Sequence, residues 1–247
     1  MSNAMAGLPE KTTAFLGLLL QLQSCSLFAA YLLMIMLAGF WQRATSPLGL
    51  RPSLVIHNFA CCFGSMVTML GFLHGIWTSG SLYSRQDSEN LTWIFKLYWI
   101  TKILELLDTV FMVLRHKTRQ ISFLHIYHHS SMLLLSELAY RFYPWPAIGV
   151  FLGMNSFVHI LLYLYYGLTA LLPDSPPQWK KQMTQIQIAQ FLLGFVIAFI
   201  GYIGHNYCVY SMLYGISMTF LFSNFYYQAY IQKRQPESKP SHRGKMD

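Results

Sequence analysis

The sequence predicts an all-α integral membrane protein with seven transmembrane helices, and three observations carry that expectation. Of 247 residues, 54% are hydrophobic and only 11% charged, less than half the roughly 25% with which an average soluble domain solvates its surface. The apolar residues gather into seven runs near the length of about 20 residues that a membrane-crossing helix needs. The segments joining those runs differ sharply in basic content, as the two faces of a membrane require. An aromatic content of 16% also excludes a disordered chain. The net charge of +8 would suggest nucleic acid in a soluble protein; here no nucleic-acid partner is expected, and the question is where the charges lie relative to the bilayer.

The first run, residues 14–41, spans about 28 residues, too long for the roughly 7–15 of a cleavable signal peptide core. Residues 1–13 read as an N-terminal tail, within which Ser2-Asn3-Ala4 before Met5 has the look of a tag remnant in residues 1–4. The second and third runs cover residues 54–76 and 93–114, and the fourth, 121–138, is short and rich in polar anomalies. Pro144 and Pro146 open the fifth, 145–171, where a missing N–H costs little, and Pro173, Pro176 and Pro177 close it. The sixth and seventh cover 184–203 and 209–231, leaving residues 232–247 as a basic tail expected to be disordered. No repeat or linker divides the chain, so residues 1–247 read as a single polytopic membrane domain. Cys25, Cys61, Cys62 and Cys208 show no CxxC spacing, which supports neither a zinc site nor a disulfide framework.

Charge orients the spans. Segments 42–53, 115–120, 172–183 and 232–247 hold Arg43, Arg51, Arg115, Lys117, Arg119, Lys180, Lys181, Lys233, Arg234, Lys239, Arg243 and Lys245. The opposite side has only Lys11, Arg85 and Arg141, with Lys96 and Lys102 inside a span. The positive-inside rule therefore puts the C-terminus in the cytosol. The glycosylation acceptor Asn90-Leu91-Thr92 then falls on the far side, close to the next helix.

Ionisable groups within spans cost a few kcal/mol each and are functional candidates for that reason. Lys102, Glu105 and Asp108 sit near the cytosolic end of the third span. Lys102 and Glu105, three residues apart, share a helix face and can pair; such a pair serves packing or chemistry, and the third carboxylate calls for a further partner. His125, His128 and His129 lie at about 0°, −60° and +40° around the fourth helix, a single polar face. Asn155, His159 and Tyr163 repeat at every fourth position of the fifth span, followed by Tyr165 and Tyr166. Thr184, Gln187 and Gln190 form a weaker row on the sixth, which taken alone reads as polar contact between helices.

Clustered imidazoles in a membrane suit two kinds of enzyme. A di-iron desaturase or hydroxylase is one, since imidazole is a good iron ligand. Such a centre needs about eight histidines in several boxes. The chain has nine, but His57, His74, His116, His205 and His242 are scattered, so no metal and no cofactor is expected. The other is acyl transfer with histidine as nucleophile or base; no Ser or Cys sits in an activated motif such as G-x-S-x-G. A seven-helix transporter or receptor is the non-enzyme alternative.

Four stretches resemble the ELO-type very-long-chain fatty acid elongases, membrane 3-ketoacyl-CoA synthases of the endoplasmic reticulum. They are Lys102-x-x-Glu105-Leu106-x-Asp108-Thr109-Val110-Phe111, Leu124-His125-x-x-His128-His129, Asn155-Ser156-x-x-His159-x-x-x-Tyr163-x-Tyr165-Tyr166, and Thr184-x-x-Gln187-x-x-Gln190-Phe191. They occur in the family's order over nearly the whole chain from about residue 50. The resemblance implies six of the seven helices enclosing an acyl tunnel open to the cytosol, and condensation of acyl-CoA with malonyl-CoA to 3-ketoacyl-CoA, CoA and CO2. It implies a ping-pong route in which His128 carries the acyl group and His159, facing it, assists or shares the adduct. His125, His129, Asp108 and Asn155 are the further catalytic candidates, orienting imidazoles or holding the malonyl carboxylate and the enolate oxygen. Lys102, Glu105, Tyr127, Tyr163, Tyr166, Gln187 and Gln190 are expected to support or line the substrate site. Arg115, Lys117, Lys180, Lys181, Lys233 and Arg234, on the cytosolic face, are expected to meet the phosphates of CoA.

The strings Gln120-Ile-Ser-Phe-Leu-His125-Ile-Tyr127 and Asn155-Ser156-Phe157-Val158-His159 resemble the branch acting on polyunsaturated and very long acyl chains. Many family members join lumenal loops through a cysteine pair; residues 77–92 contain no Cys to pair with Cys208, so no such disulfide is expected. Arg243 and Lys245 loosely resemble a dilysine retrieval signal. Membrane lipids, the other enzymes of the elongation cycle and further copies of the chain are the expected partners.

Overall fold

A computed structural model describes residue 17 and residues 21–232. The N-terminal tail, the start of the first span, and the tail with Lys233, Arg234 and its retrieval-like residues lie outside the described residues. What is described is all-helical. The α-helices are α1 (Ser24–Ala44), α2 (Arg51–Ser79), α3 (Glu89–Glu105), α4 (Leu107–Leu114), α5 (Phe123–Phe142), α6 (Pro146–Leu171), α7 (Lys180–His205) and α8 (Val209–Tyr226). A 3₁₀ turn at Thr118–Gln120 precedes α5, and a π-helical turn, Tyr227–Ile231, continues α8. Four of them, α1, α2, α6 and α7, are long and apolar enough to cross a membrane. Together with the exposed apolar side chains along them, they make this a multi-pass integral membrane protein.

The helices overlie the seven apolar runs, most reaching two to four residues past an expected end, with one larger difference. The third run is broken at Leu106, which separates α3 from α4. Leu106 N–H bonds Ile103 O and Thr109 N–H bonds Leu106 O, both at 3.1 Å, so the backbone tightens into 3₁₀ spacing there. Helix ends follow their local chemistry. Pro146 occupies the first turn of α6, Gly80 closes α2 at φ 69°, and His116 in the left-handed region follows α4, with Lys117 N–H reaching back to Met112 O at 2.7 Å.

Packing is tightest between α2 and α6. From that pair contacts run to α3 and α5 on one side and to α7 and α8 on the other. α8 returns to α5 through side chains: the Tyr127 and Ser217 hydroxyls are 3.0 Å apart, and those of Ser131 and Tyr214 2.9 Å. The apolar core joins α2, α3, α5 and α6 through Phe72, Leu91, Phe95, Tyr98, Met132, Ala139 and Leu152, with Phe72 edge-on to Phe95 at 5.1 Å. Gly71 and Gly75 let α2 approach α3 closely, since a Cβ at either would run into Ile94 or Leu91.

α1 stands outside this circuit, against α4 and α5. Its N-terminal turn is held by Glu137 of α5, whose fully buried carboxylate accepts the backbone N–H groups of Gln23 at 3.0 Å and Ser24 at 2.7 Å. Arg141 closes on the same carboxylate at 2.6 Å. These N–H groups have no partner within α1 itself, so Glu137 caps the helix from a neighbour.

Candidate active site

The histidine face begins with a cap. Ser122 precedes α5 and its hydroxyl accepts the His125 backbone N–H at 3.2 Å, which fixes the first turn. That turn projects His125, His128 and His129 together: the rings of His125 and His129 are 4.3 Å apart, and those of His128 and His129 5.6 Å. His125 Nε2 lies 2.7 Å from the Thr109 hydroxyl, itself 3.1 Å from the Tyr31 hydroxyl of α1. His128 meets His159 of α6 across the bundle, with rings stacked at 5.9 Å and 23°.

Behind His159 lies a buried charged chain. Glu105 Oε1 is 3.0 Å from His159 Nδ1. Lys102 Nζ donates to both Glu105 oxygens, at 2.8 and 3.0 Å. All three residues are at most 4% exposed. Nδ1 also lies 3.3 Å from the Lys102 ammonium; with its proton on Nδ1, donated to the nearer Glu105 oxygen, His159 keeps the lone pair on Nε2. This is how an acidic partner sets the tautomer and orientation of a reactive imidazole in hydrolytic triads. The ammonium of Lys102 also lies 4.8 Å above the Tyr98 ring, and Tyr98 donates its hydroxyl proton to Asn155 Oδ1 at 2.7 Å. The i, i+3 spacing of Lys102 and Glu105 was legible in the sequence; their joint hold on His159 is what the fold adds.

Asp108 belongs to a second node. Its Oδ1 is 2.9 Å from His57 Nε2 and its Oδ2 accepts the Tyr163 hydroxyl at 2.7 Å. His57 was not among the expected site residues, because it stands apart from the other histidines in sequence; an ionisable group inside an apolar run was the signal that could have found it. Tyr98 and Thr109 were missed as partners for the same reason, each meeting a residue distant along the chain.

The remaining candidates are spread around these nodes. Tyr127 is half-buried on α5, facing α8 through Ser217. Tyr166 is 42% exposed and edge-on to Tyr163. Thr184 is buried and Gln187 and Gln190 are half-buried on α7, and the structure gives the two glutamines no hydrogen bond to the histidines. Arg115 is half-buried, whereas Lys117 and Lys180 are exposed. Lys181 lies over the Tyr226 ring at 5.8 Å. Lys117, with Gln42, His116, Thr118, Arg119 and Gln120, lines an open cavity of about 540 Å³ at the end of α4, without an acidic side chain. Among the described residues, no three or more His, Cys, Asp or Glu side chains converge as a metal site requires.

The half-buried His128 faces the buried His159, which is backed by a carboxylate and an ammonium, inside a membrane bundle with basic residues at its loops. Known proteins are similar to this chain over most of its length. Residues 21–238 match the model of the ELO: GNS1/SUR4 family. The chain is 32% identical over 241 residues to very long chain fatty acid elongase 5 of Tachysurus fulvidraco, covering 90% of this chain and 81% of that one. It is 31% identical over 239 residues to human very long chain fatty acid elongase 4, covering 86% and 73%, and 33% identical over 239 residues to the mouse protein of that name, with the same coverage. Similarity of this extent, spanning every element of the site, makes the chain a member of the ELO, or GNS1/SUR4, family.

Proposed function

We propose that this condensing enzyme of fatty acid elongation, a 3-ketoacyl-CoA synthase acting on acyl-CoA and malonyl-CoA, works through a histidine-linked acyl-enzyme. The observation that carries the proposal is the buried chain Lys102–Glu105–His159 with His128 stacked against it. A neutral imidazole Nε2 attacks the thioester carbonyl, the C–S bond breaks, and the CoA thiolate leaves and takes up the proton the imidazole loses. Malonyl-CoA then binds, its C–C bond to the carboxylate breaks to release CO2, and the resulting enolate attacks the acyl carbon. The C–N bond to imidazole breaks and the ring regains a proton, so the cycle consumes one proton overall. Splitting the reaction lets one mouth receive two CoA substrates in turn.

His128 carries the acyl group in this reading, and His159, oriented by Glu105, activates or shares it. His125 and His129 complete the imidazole face, with Asn155 and His125 placed to hold the malonyl carboxylate and the enolate oxygen. Asp108, bonded to His57 and Tyr163, orients rather than binds, because an ionised carboxylate repels a second one. Arg115, Lys117, Lys180, Lys181, Lys233 and Arg234 supply positive charge for CoA phosphates. Tyr127, Tyr166, Gln187 and Gln190 line the way in.

The same reading takes the chain as one domain that crosses the endoplasmic reticulum membrane seven times with a cytosolic C-terminus, acting on long polyunsaturated acyl chains beside the other enzymes of the cycle. The circuit α2–α3–α5–α8–α7–α6, with α1 outside it, supports six helices around an acyl tunnel. Exchange of labelled CoA into acyl-CoA without malonyl-CoA tests the two-step route. The route requires exchange at a rate competent for turnover; none at all refutes it. Condensation rates across acyl-CoAs of graded length and unsaturation test the substrate class.

A further inference from the structure

We propose that His57 is a positioning residue of this site: by holding Asp108 it locks the Tyr163 hydroxyl and, through the Tyr163 ring, the placement of His159. The inference rests on the reading of His128 and His159 as the reacting pair. His57 is 8% exposed, beside Asn58 in the second turn of α2, within an apolar run where an ionisable side chain is disfavoured unless partnered.

Its partner comes from 51 residues away. His57 Nε2 lies 2.9 Å from Asp108 Oδ1, and the other oxygen of that carboxylate accepts the Tyr163 hydroxyl at 2.7 Å. One carboxylate therefore ties α2, α4 and α6 together. A carboxylate offers only lone pairs, so Nε2 carries a proton and donates it. Rings fix the imidazole's orientation from two sides: Phe111 at 5.2 Å and 65°, Tyr163 at 6.2 Å and 88°. The Cys61 thiol, one turn along α2, lies 3.9 Å from Nδ1.

The clamp reaches the reacting centre through α6. Tyr163 follows His159 by one helical turn, and their rings are 5.7 Å apart at 52°. His159 is thus held from two directions, by Glu105 on its Nδ1 and by a tyrosine ring whose hydroxyl Asp108 anchors. The two carboxylates flank the break at Leu106: Glu105 meets His159, and Asp108 meets Tyr163 of the same helix as well as His57 of α2. Without the His57 donor, Asp108 would keep one partner and could swing out of the α2–α6 interface, releasing Tyr163.

The test uses purified full chain and four variants: His57→Phe, His57→Gln, Tyr163→Phe and the double His57→Phe/Tyr163→Phe. Steady-state condensation with each CoA substrate and thermal unfolding in detergent are measured for each. His57→Phe should lower kcat by about tenfold to a hundredfold, the scale of one lost hydrogen bond to a charged acceptor. KM for either substrate should stay within about twofold, since His57 touches neither. Gln, whose side-chain N–H₂ can replace the donor, should recover all but about fivefold of the loss. The double variant should be no more than about twofold worse than the poorer single one, because residues acting as one unit do not add. The proposal is overturned if His57→Phe keeps its kcat, if Gln is as impaired as Phe, if the two losses multiply, or if kcat falls only as far as the folded fraction does. His128→Ala tests the underlying reading separately: turnover by that variant would refute the acyl-histidine route whatever the His57 series shows.

Discussion

Replacing Glu105 with Gln removes one charge and almost no volume, which makes it the sharpest probe of the buried chain. Glu105 is 1% exposed and receives both Lys102, at 2.8 and 3.0 Å, and His159, at 3.0 Å. Two losses follow. Removing one partner of a buried pair strands the other and costs about 3–5 kcal/mol; the amide keeps one acceptor oxygen, so the lower end applies. At about 2–4 °C per kcal/mol for a chain of this size, the unfolding midpoint should fall by about 10 °C. The second loss is catalytic. An amide in place of the orienting carboxylate presents the wrong partner to Nδ1, and in comparable triads this costs about 10⁴ in kcat; a thousandfold loss, on that order, is expected here. The double variant Lys102→Met/Glu105→Leu separates the two, since apolar residues of similar size replace a buried pair at little cost in stability. It should unfold near the wild-type midpoint and remain inactive. The assay is conversion of labelled malonyl-CoA to 3-ketoacyl-CoA, normalised to the folded fraction, beside thermal unfolding in detergent. More than a tenth of wild-type turnover in either variant would refute the argument that Glu105 orients a reacting imidazole.

Two further predictions concern the frame. Glu137→Ala leaves the N–H groups of Gln23 and Ser24 without their acceptor and strands Arg141, so about 2–4 kcal/mol should be lost and hydrogen exchange should rise first in α1. The folded fraction should keep its turnover within about twofold, because α1 lies outside the helix circuit; unchanged exchange in α1 would refute the capping role. Gly75→Leu drives a side chain into Leu91 and should cost about 1–3 kcal/mol, whereas Gly39→Ala, which meets nothing within 4 Å, should leave the unfolding midpoint within a degree or two.

How much of this was legible in the sequence depends on the range of the interaction. Apolar runs and prolines announced the helices, since membrane length and a missing N–H are local properties. The i, i+3 spacing announced the Lys102–Glu105 pair, and the i, i+3, i+4 spacing the histidine face, for the same reason. The break at Leu106 carries no Pro or Gly and so left no mark in the sequence. His57 was passed over because its partner is 51 residues away, and Glu137 because the groups it caps belong to another helix. Single polar residues in apolar runs were the available signal, and each proved to be tied to a distant group.

The central claim is that an imidazole of this bundle carries the acyl group between two CoA substrates. Intact-mass spectrometry after brief incubation with acyl-CoA alone, without malonyl-CoA, tests it most directly. The account predicts a single added acyl mass that malonyl-CoA discharges and that is absent from His128→Ala. No adduct on an enzyme competent for turnover, or an adduct that persists in His128→Ala, would contradict it.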